Sequence, residues 1–135
     1  MTMRYIIFFG LLMLTVPSLK AQKISTLEIV EVLNKNQAEA EYYYRNNWKV
    51  LREQALKSNY IDSFEFMIGG PEDGKPGHIV LLTTYANSEQ YEKAEENFGK
   101  LIESLGGIKL LNDKKPADFR KFIYSQSELV SESKL

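Results

Sequence analysis

The chain has 135 residues, with 17 basic and 18 acidic side chains and no cysteine. This length is enough for one domain with a modest core but not for two, and the near-neutral charge provides no electrostatic footprint for nucleic acid or an anionic membrane. Because the chain has no thiol, disulfides, iron–sulfur clusters and cysteine–zinc sites are excluded, and stability must come from burial.

The first segment, residues 1–21, is predicted to be a cleavable export signal. Arg4 and the amino terminus supply positive charge, the apolar run IIFFGLLMLTV follows, and Pro17 ends it. A helix needs about 20 apolar residues to cross a bilayer, so this shorter run indicates a signal peptide and not a permanent anchor. Cleavage is expected between Ala21 and Gln22, which makes the mature protein periplasmic or secreted, with no membrane anchor.

Cleavage would remove Arg4 and Lys20, which leaves 114 residues with 15 basic and 18 acidic side chains, a net charge of −3. The folded domain is expected over residues 22–131, and residues 132–135 form a polar tail. The closing tripeptide Ser-Lys-Leu matches a peroxisomal address. An exported chain never meets the receptor that reads this address, so the export signal takes precedence.

The mature sequence predicts strands and helices in the order β-α-β-β-α-β. Runs rich in β-branched and aromatic residues predict strands over residues 25–33, 60–68, 78–85 and 121–130. Between the first two strands, one apolar stripe at helical spacing predicts a helix from about residue 36 to residue 58. The stripe consists of Ala40, Tyr44, Trp48, Leu51 and Ala55.

The second helix is predicted between the last two strands. Asn87 and Gln90 have the spacing of a capping pair at its start, and the apolar residues that follow recur at helical spacing. Gly106 and Gly107 end the pattern, as glycines do at the carboxyl ends of helices.

This order is that of the ferredoxin-like split βαβ arrangement, an α+β fold in which two helices cover one face of a four-stranded antiparallel sheet. The topology places the first and third strands in the centre, where both faces should be apolar. The first strand has Leu27 and Ile29 on one side and Val30 and Val32 on the other, and the third strand is equally apolar. The second and fourth strands each have a polar side, so pattern and topology agree.

The same topology predicts an assembly, because two helices leave the second apolar face of the sheet uncovered. A second copy of the chain is the simplest cover, so we expect a homodimer formed by sheet-to-sheet packing. In the fourth strand, regular alternation would put Gln126 and Glu128 on one face and Ile123 and Leu129 on the other.

Four stretches of the mature sequence carry a family resemblance: EIVEV, EAEYYYRNNWKVLREQALKSNYIDSFEFMI, HIVLLTTYANSEQYEKAEENF and SELV. Their pattern resembles the dimeric α/β-barrel superfamily, including antibiotic-biosynthesis monooxygenases, NIPSNAP-type proteins and stress-responsive barrel proteins. The resemblance implies a dimeric barrel with a cavity between sheets and helices. It implies no activity, because that superfamily holds monooxygenases, haem-degrading enzymes, isomerases and many proteins without an assigned function.

Few residues carry recognisable chemistry. His78, the single histidine, opens the third strand and is a candidate acid–base group or haem ligand, the alternative being a surface residue at a strand end. Tyr44 and Trp48 share the buried helical stripe, so they are candidates for a ligand pocket, with core packing as the favoured interpretation. Glu65 and Tyr85 are further pocket candidates, because the sequence does not fix the phase of their strands relative to the helices.

The remaining polar patterns indicate solvent-exposed structure. Glu89 with Lys93, and Glu96 with Lys100, have the stabilising i, i+4 order on the second helix, so we expect a solvated face and no metal site. The loop at residues 69–77 has four glycines, but it does not join a strand to a helix and cannot cradle phosphate. It is interpreted as a lip at the sheet edge that could gate a cavity.

Two functions are open at this point. The first is an exported homodimer that binds a small apolar molecule or a partner without a cofactor. The alternative is a cofactor-independent or haem-linked monooxygenase, motivated by the superfamily with His78, Trp48 and the tyrosines. An oxygenase should direct His78, or a buried Glu and Tyr, into an enclosed pocket, so the geometry of the pocket discriminates between them.

Overall fold

The computed structural model describes residues 21–132, and the export signal predicted for residues 1–21 lies outside this part except for Ala21. The described residues form one four-stranded antiparallel sheet in the order β2-β3-β1-β4. Its strands are β1 (Ile24–Val32), β2 (Ser63–Gly69), β3 (His78–Tyr85) and β4 (Arg120–Val130). The ferredoxin-like α+β topology predicted from the sequence is therefore confirmed.

The helices lie between these strands along the chain. The first is continuous and consists of α1 (Gln37–Tyr43), a π-helical turn (Tyr44–Trp48) and α2 (Lys49–Lys57). The second consists of α3 (Ser88–Glu92) and α4 (Ala94–Ser104), separated by a single residue, and a four-residue helix, α5 (Pro116–Phe119), precedes β4. The sequence pattern predicted both long helices but not α5.

The ends of the helices follow from local chemistry. Asn59 has the left-handed conformation (φ 57°), and its N–H donates to the carbonyl of Leu56 while the N–H of Tyr60 donates to the carbonyl of Ala55. These two bonds form a Schellman motif, which ends α2. Gly106, with φ 73°, follows α4 in the same conformation, which glycine adopts at no steric cost.

The helices cover one face of the sheet, and the core lies beneath them. Val30 pairs with Ile79, and Leu81 follows on the same face of β3. All three are at most 2% exposed, and Tyr44 and Phe119, each 1% exposed, pack against them from the helical side. A second buried cluster lies toward the other end of the sheet and consists of Ala55, Ile61 and Tyr85.

The fourth strand departs from the regular alternation that the sequence predicts. Leu27 pairs with Gln126, whereas Ser25 pairs with Leu129, so the register shifts by one residue between these pairs. Gln126 and Leu129 therefore share one face of the sheet, and the prediction that they lie on opposite faces was wrong. Glu128, with φ 56°, lies in this irregular segment, and an extra bulge residue inverts the alternation of everything that follows it.

The close approach of the β2–β3 loop to α1 gives a testable prediction at Gly77. A Cβ at this buried position would overlap Gln37 Oε1 and lie 2.8 Å from the carbonyl oxygen of Gly69. Gly77→Ala should lower the free energy of unfolding by about 1–3 kcal/mol, because the backbone must move to make room. At Gly70 an added Cβ meets nothing within 4 Å, so Gly70→Ala should be neutral or slightly stabilising. Equal urea midpoints for the two variants would contradict this account.

Candidate functional site

A cavity of about 310 Å³ lies between the covered face of the sheet and the helices. Residues of β1 and β4 form its floor, the first helix forms one wall, and the end of α4 with residues 105–109 forms the other. This volume is at the lower end of the range of about 300–1,000 Å³ typical of small-molecule sites. The apolar lining includes Tyr43, Trp48, Leu51, Leu105 and Phe122.

The π-helical turn forms the wall of the cavity. The N–H of Lys49 donates to the carbonyl of Tyr44 five residues back, which widens the helix at this point, and such turns are frequent at functional sites. Tyr44 and Trp48, at the two ends of the turn, both line the cavity. The ring of Trp48 also packs edge-on against Phe64, with centroids 5.8 Å apart. The turn thus presents aromatic surface both to the core and to the cavity.

Two arginines, one lysine (Lys109) and one glutamate bring charge to the lining of this apolar space. Arg52 Nε donates to Thr83 Oγ1 (3.1 Å), and Arg120 Nη1 donates to Tyr44 Oη (2.7 Å). Glu28 lies on the covered face of β1, in line with Val30 and Val32, and lines the same cavity. The lining therefore has an excess of positive charge at neutral pH.

Arg52 is held between two aromatic rings. Its guanidinium carbon lies 4.4 Å from the ring centre of Trp48 and 4.3 Å from that of Phe98, which is close enough for a cation–π interaction with each ring. Burial lowers the pKa of Arg52 to about 10, because desolvation penalises the charged form. The side chain is still protonated at neutral pH, so the cavity contains a partly desolvated cation.

Burial acts in the opposite direction on Tyr44, in the helical wall of the cavity. It raises the pKa of Tyr44 above its usual value of 10.0, and the hydrogen bond from Arg120 only partly opposes this shift. The Tyr44 hydroxyl is therefore neutral under physiological conditions and accepts a charge-assisted hydrogen bond.

The side chain of Asn47 forms hydrogen bonds with the backbone of residues 105–109, the segment that follows α4 beside the cavity. Asn47 Nδ2 donates to the carbonyl of Lys109 (2.8 Å), and the N–H of Lys109 donates to Asn47 Oδ1 (2.8 Å). This pair reproduces the two-bond pattern of a β-ladder and holds Ile108 at the mouth, where it is 67% exposed. Ile102, 57% exposed, lines the cavity beside it. The mouth of the cavity is therefore apolar.

The candidates predicted from the sequence divide between the two faces of the sheet. Tyr44 and Trp48 line the cavity. Tyr85 lies on the covered face but belongs to the second core cluster with Ala55 and does not line the cavity. Glu65 is exposed on β2, on the face away from the helices, as its pairing opposite Leu82 shows.

His78 lies on the same outward face as Glu65. Its side chain is 42% exposed, and its Nε2 is 3.8 Å from Glu31 Oε2 on the neighbouring strand. Ile79, the next residue, is fully buried under the helices, so the alternation of β3 directs His78 away from them. The cavity and the single histidine are thus on opposite faces of the sheet.

The charged groups of the cavity were missed by sequence reasoning, although two of them leave a signal. Glu28 has the same strand parity as Val30 and Val32, which places its carboxylate on the covered face. Arg52 follows Trp48 by four residues, so both share one side of the helix. Arg120 leaves no such signal, because its approach to Tyr44 depends on the register of β4.

The loop at residues 69–77 does not touch the cavity. It contains a tight turn in which Glu72 and Lys75 exchange backbone hydrogen bonds, and it borders a separate hollow near the start of α1. Within residues 21–132, no group of three His, Asp or Glu side chains is arranged to hold a metal ion. In the same part of the chain, no helix has the length and apolarity needed to span a bilayer.

No protein-family model matches this chain, and no curated protein or solved structure shows significant similarity to it. The ferredoxin-like topology therefore rests on the strand order itself, and the function must be argued from the cavity and from the uncovered face of the sheet.

The Asn47 contact gives a prediction for the segment over the cavity. Asn47→Ala removes both bonds to Lys109, so the Lys109 amide should exchange with deuterium at least about tenfold faster, since one to two hydrogen bonds are worth about 1–3 kcal/mol. Asn46→Ala is the matched control. Asn46 Nδ2 donates to the carbonyl of Tyr42, four residues back, as Asn47 Nδ2 does to that of Tyr43. Among the described residues, however, Asn46 makes no bond to the segment over the cavity. Equal exchange of the Lys109 amide in the two variants would show that Asn47 does not hold the segment.

Proposed function

We propose that this protein is an exported binding domain that takes a small, largely apolar molecule into the cavity between its sheet and its helices. The cavity itself carries the proposal: it is concave, is lined mainly by aromatic and aliphatic side chains, and contains a few convergent polar groups, which is the usual composition of a small-molecule site. Its volume fits a molecule of one or two rings or a short aliphatic chain.

The mouth of the cavity supports the same reading. Ile102 and Ile108 expose more than half of their surface beside the opening. Exposed apolar surface of this kind, when it borders a concavity and is rimmed by polar residues, is typical of a binding groove. A bound apolar molecule would remove these side chains from water and so gain free energy from the hydrophobic effect.

Export to the periplasm or the exterior remains part of the proposal and is supported by the signal-peptide pattern of residues 1–21. The cysteine-free composition is compatible with an oxidising compartment but does not require one.

The monooxygenase alternative has less support. His78 lies on the other face of the sheet from the cavity, and Tyr44 is kept protonated by burial, so neither supplies a base inside it. Glu28 is the one carboxylate among the described lining residues. Binding without turnover is therefore the function that the geometry supports best, and oxygen consumption with a bound aromatic substrate would favour the alternative.

The uncovered face of the sheet supports the second part of the proposal, a homodimer. Two rows of apolar side chains cross its centre: Val80 opposite Ile29, and Leu82 opposite Leu27. Met67 extends one row onto β2 and is 51% exposed. An apolar centre surrounded by polar residues is the usual anatomy of a protein interface.

In the proposed dimer, a two-fold axis runs parallel to the strands and passes between β1 and β3. Polar residues of opposite charge then face each other across the interface. Such an axis places β3 of one copy over β1 of the other, so that Val80 meets Ile29 of the partner subunit and His78 meets Glu31 of the partner subunit. Self-complementarity of this kind is what an isologous interface requires. A second copy is therefore the occupant that we propose for this face.

Ligand binding can be tested with 2-naphthamide, a neutral two-ring probe. Trp48 is the single tryptophan, so its indole N–H resonance should shift saturably as the probe binds, and the melting temperature should rise. Leu105→Phe, which fills the cavity, should weaken binding at least about tenfold, as about 1.4 kcal/mol of lost contact would. Leu56→Phe, an exposed position outside the cavity, should leave binding unchanged. Equal affinities for the two variants would place the probe elsewhere.

The dimer can be tested by light scattering at micromolar concentration. The unmodified mature chain should have the mass of two copies, and Val80→Glu should have the mass of one, because an unpaired buried carboxylate is too costly at the centre of an interface. Leu56→Glu places the same charge on the helical side and should remain dimeric. A mature chain that is monomeric without any substitution would rule out the homodimer.

A further inference from the structure

The guanidinium of Arg52 forms no ion pair with a carboxylate among the described residues, and Glu28 acts on its charge only from a longer distance. Within residues 21–132, no carboxylate lies within 4.0 Å of this group to form an ion pair. A guanidinium has five N–H donors, and the single side-chain partner of Arg52 in this part of the chain is Thr83, through Nε. The donors on Nη1 and Nη2 are free of protein partners there.

Three side chains pack around the guanidinium of Arg52. Trp48 and Phe98 lie within 4.4 Å of the guanidinium carbon and cover the cation by cation–π contact, while Thr83 occupies the Nε edge. The Nη edge is the part of the guanidinium that these contacts leave without a protein partner among the described residues. Arg52 also lines the cavity, so a molecule inside it lies beside this side chain.

A second unused donor lies beside the cation. The indole Nε1 of Trp48 is buried and has no hydrogen-bond partner among the described residues, although buried polar groups are nearly always paired. Trp48 lines the cavity together with Arg52. The Nε1 atom itself is covered, so an acceptor beside Arg52 would reach it after a small displacement of the ring.

The net charge of the cavity lining also favours a bound anion. Arg52, Lys109 and Arg120 bring three positive charges and Glu28 brings one negative charge, so the lining retains a net positive charge without a ligand. Arg120 already donates to the hydroxyl of Tyr44, which is neutral, so that bond does not cancel its charge. A bound anion would complete the balance.

From these observations, and resting on the proposed function, we infer that the cavity binds a carboxylate with an apolar body, and that the Nη edge of Arg52, assisted by the indole N–H of Trp48, receives the carboxylate group. A guanidinium presents two parallel N–H groups at the spacing of carboxylate oxygens, which makes the pair bidentate. The aromatic and aliphatic lining then receives the rest of the molecule. The ligand class is thus a small aromatic or medium-chain carboxylic acid.

The test compares 2-naphthoate with 2-naphthamide, which has the same rings but a neutral head group. The unmodified protein should bind the carboxylate about 10- to 100-fold more tightly, as expected for charge-assisted hydrogen bonds, and calorimetry measures both affinities. Arg52→Met removes the charge and keeps an unbranched stem, so it should abolish this preference while 2-naphthamide still binds. Arg45→Met removes an exposed charge from the same helix and should keep the preference.

The outcomes separate the two proposals. Equal binding of the two probes by the unmodified protein, or a preference that persists in Arg52→Met, would overturn the carboxylate site and leave the binding function intact. A preference lost in Arg120→Met but kept in Arg52→Met would overturn the assignment to Arg52. If neither probe binds, both proposals fail.

Two measurements keep the inference testable should Arg52→Met not fold. Arg52→Lys retains a cation but not the bidentate edge, so the preference should fall without disappearing. In the unmodified protein, 2-naphthoate should shift the indole N–H resonance of Trp48 downfield and 2-naphthamide should shift it less. The same shift with both probes would contradict a carboxylate at this position.

Discussion

Two helices can cover only one face of a four-stranded sheet, and this constraint organises the whole protein. The covered face has a dry core around Val30, Ile79 and Leu81, and the opposite face keeps apolar side chains such as Val80 and Leu82 at its centre. A sheet that is apolar on both faces has a free-energy cost in water until its second face is covered. The fold therefore leaves one apolar face of the sheet uncovered by its own helices, and the proposed dimer would cover that face.

The covered face is itself divided by polar residues. The cavity lies beside the first core cluster, with which it shares Tyr44 and Trp48, and Glu28, Arg52 and Arg120 enter it from three different elements. Charged groups in such a place are costly unless something compensates them. Cation–π contacts with Trp48 and Phe98 offset part of the cost of burying the charge of Arg52. The hydrogen bond to the hydroxyl of Tyr44 does the same for Arg120. A core chosen for stability alone would have been built from aliphatic residues here, and this makes the cavity the best candidate for the functional site.

The site residues predicted from the sequence lie on two different faces of the sheet. His78 and Glu65 lie on the face that we propose for assembly, whereas Tyr44 and Trp48 lie at the cavity. In the proposed dimer the single histidine would lie at the interface, on the other face of the sheet from the cavity. The chemistry of the cavity depends instead on hydrogen-bond donors and on positive charge, which favours recognition of an anion over acid–base turnover.

The sequence by itself determined the order and most of the extent of the elements, because the signals involved are local. Helical spacing placed Tyr44, Trp48 and Ala55 on one stripe, and the contact between Asn87 and the N–H of Gln90 depends on residues three apart. Only the tertiary structure decided the site. Arg52, Arg120 and Glu28 are far apart in the chain, and their meeting depends on the phase of the helix over the sheet and on the register of β4 against β1. A one-residue shift exchanges the faces of a strand, and long-range pairing sets that shift, so no local pattern could reveal it.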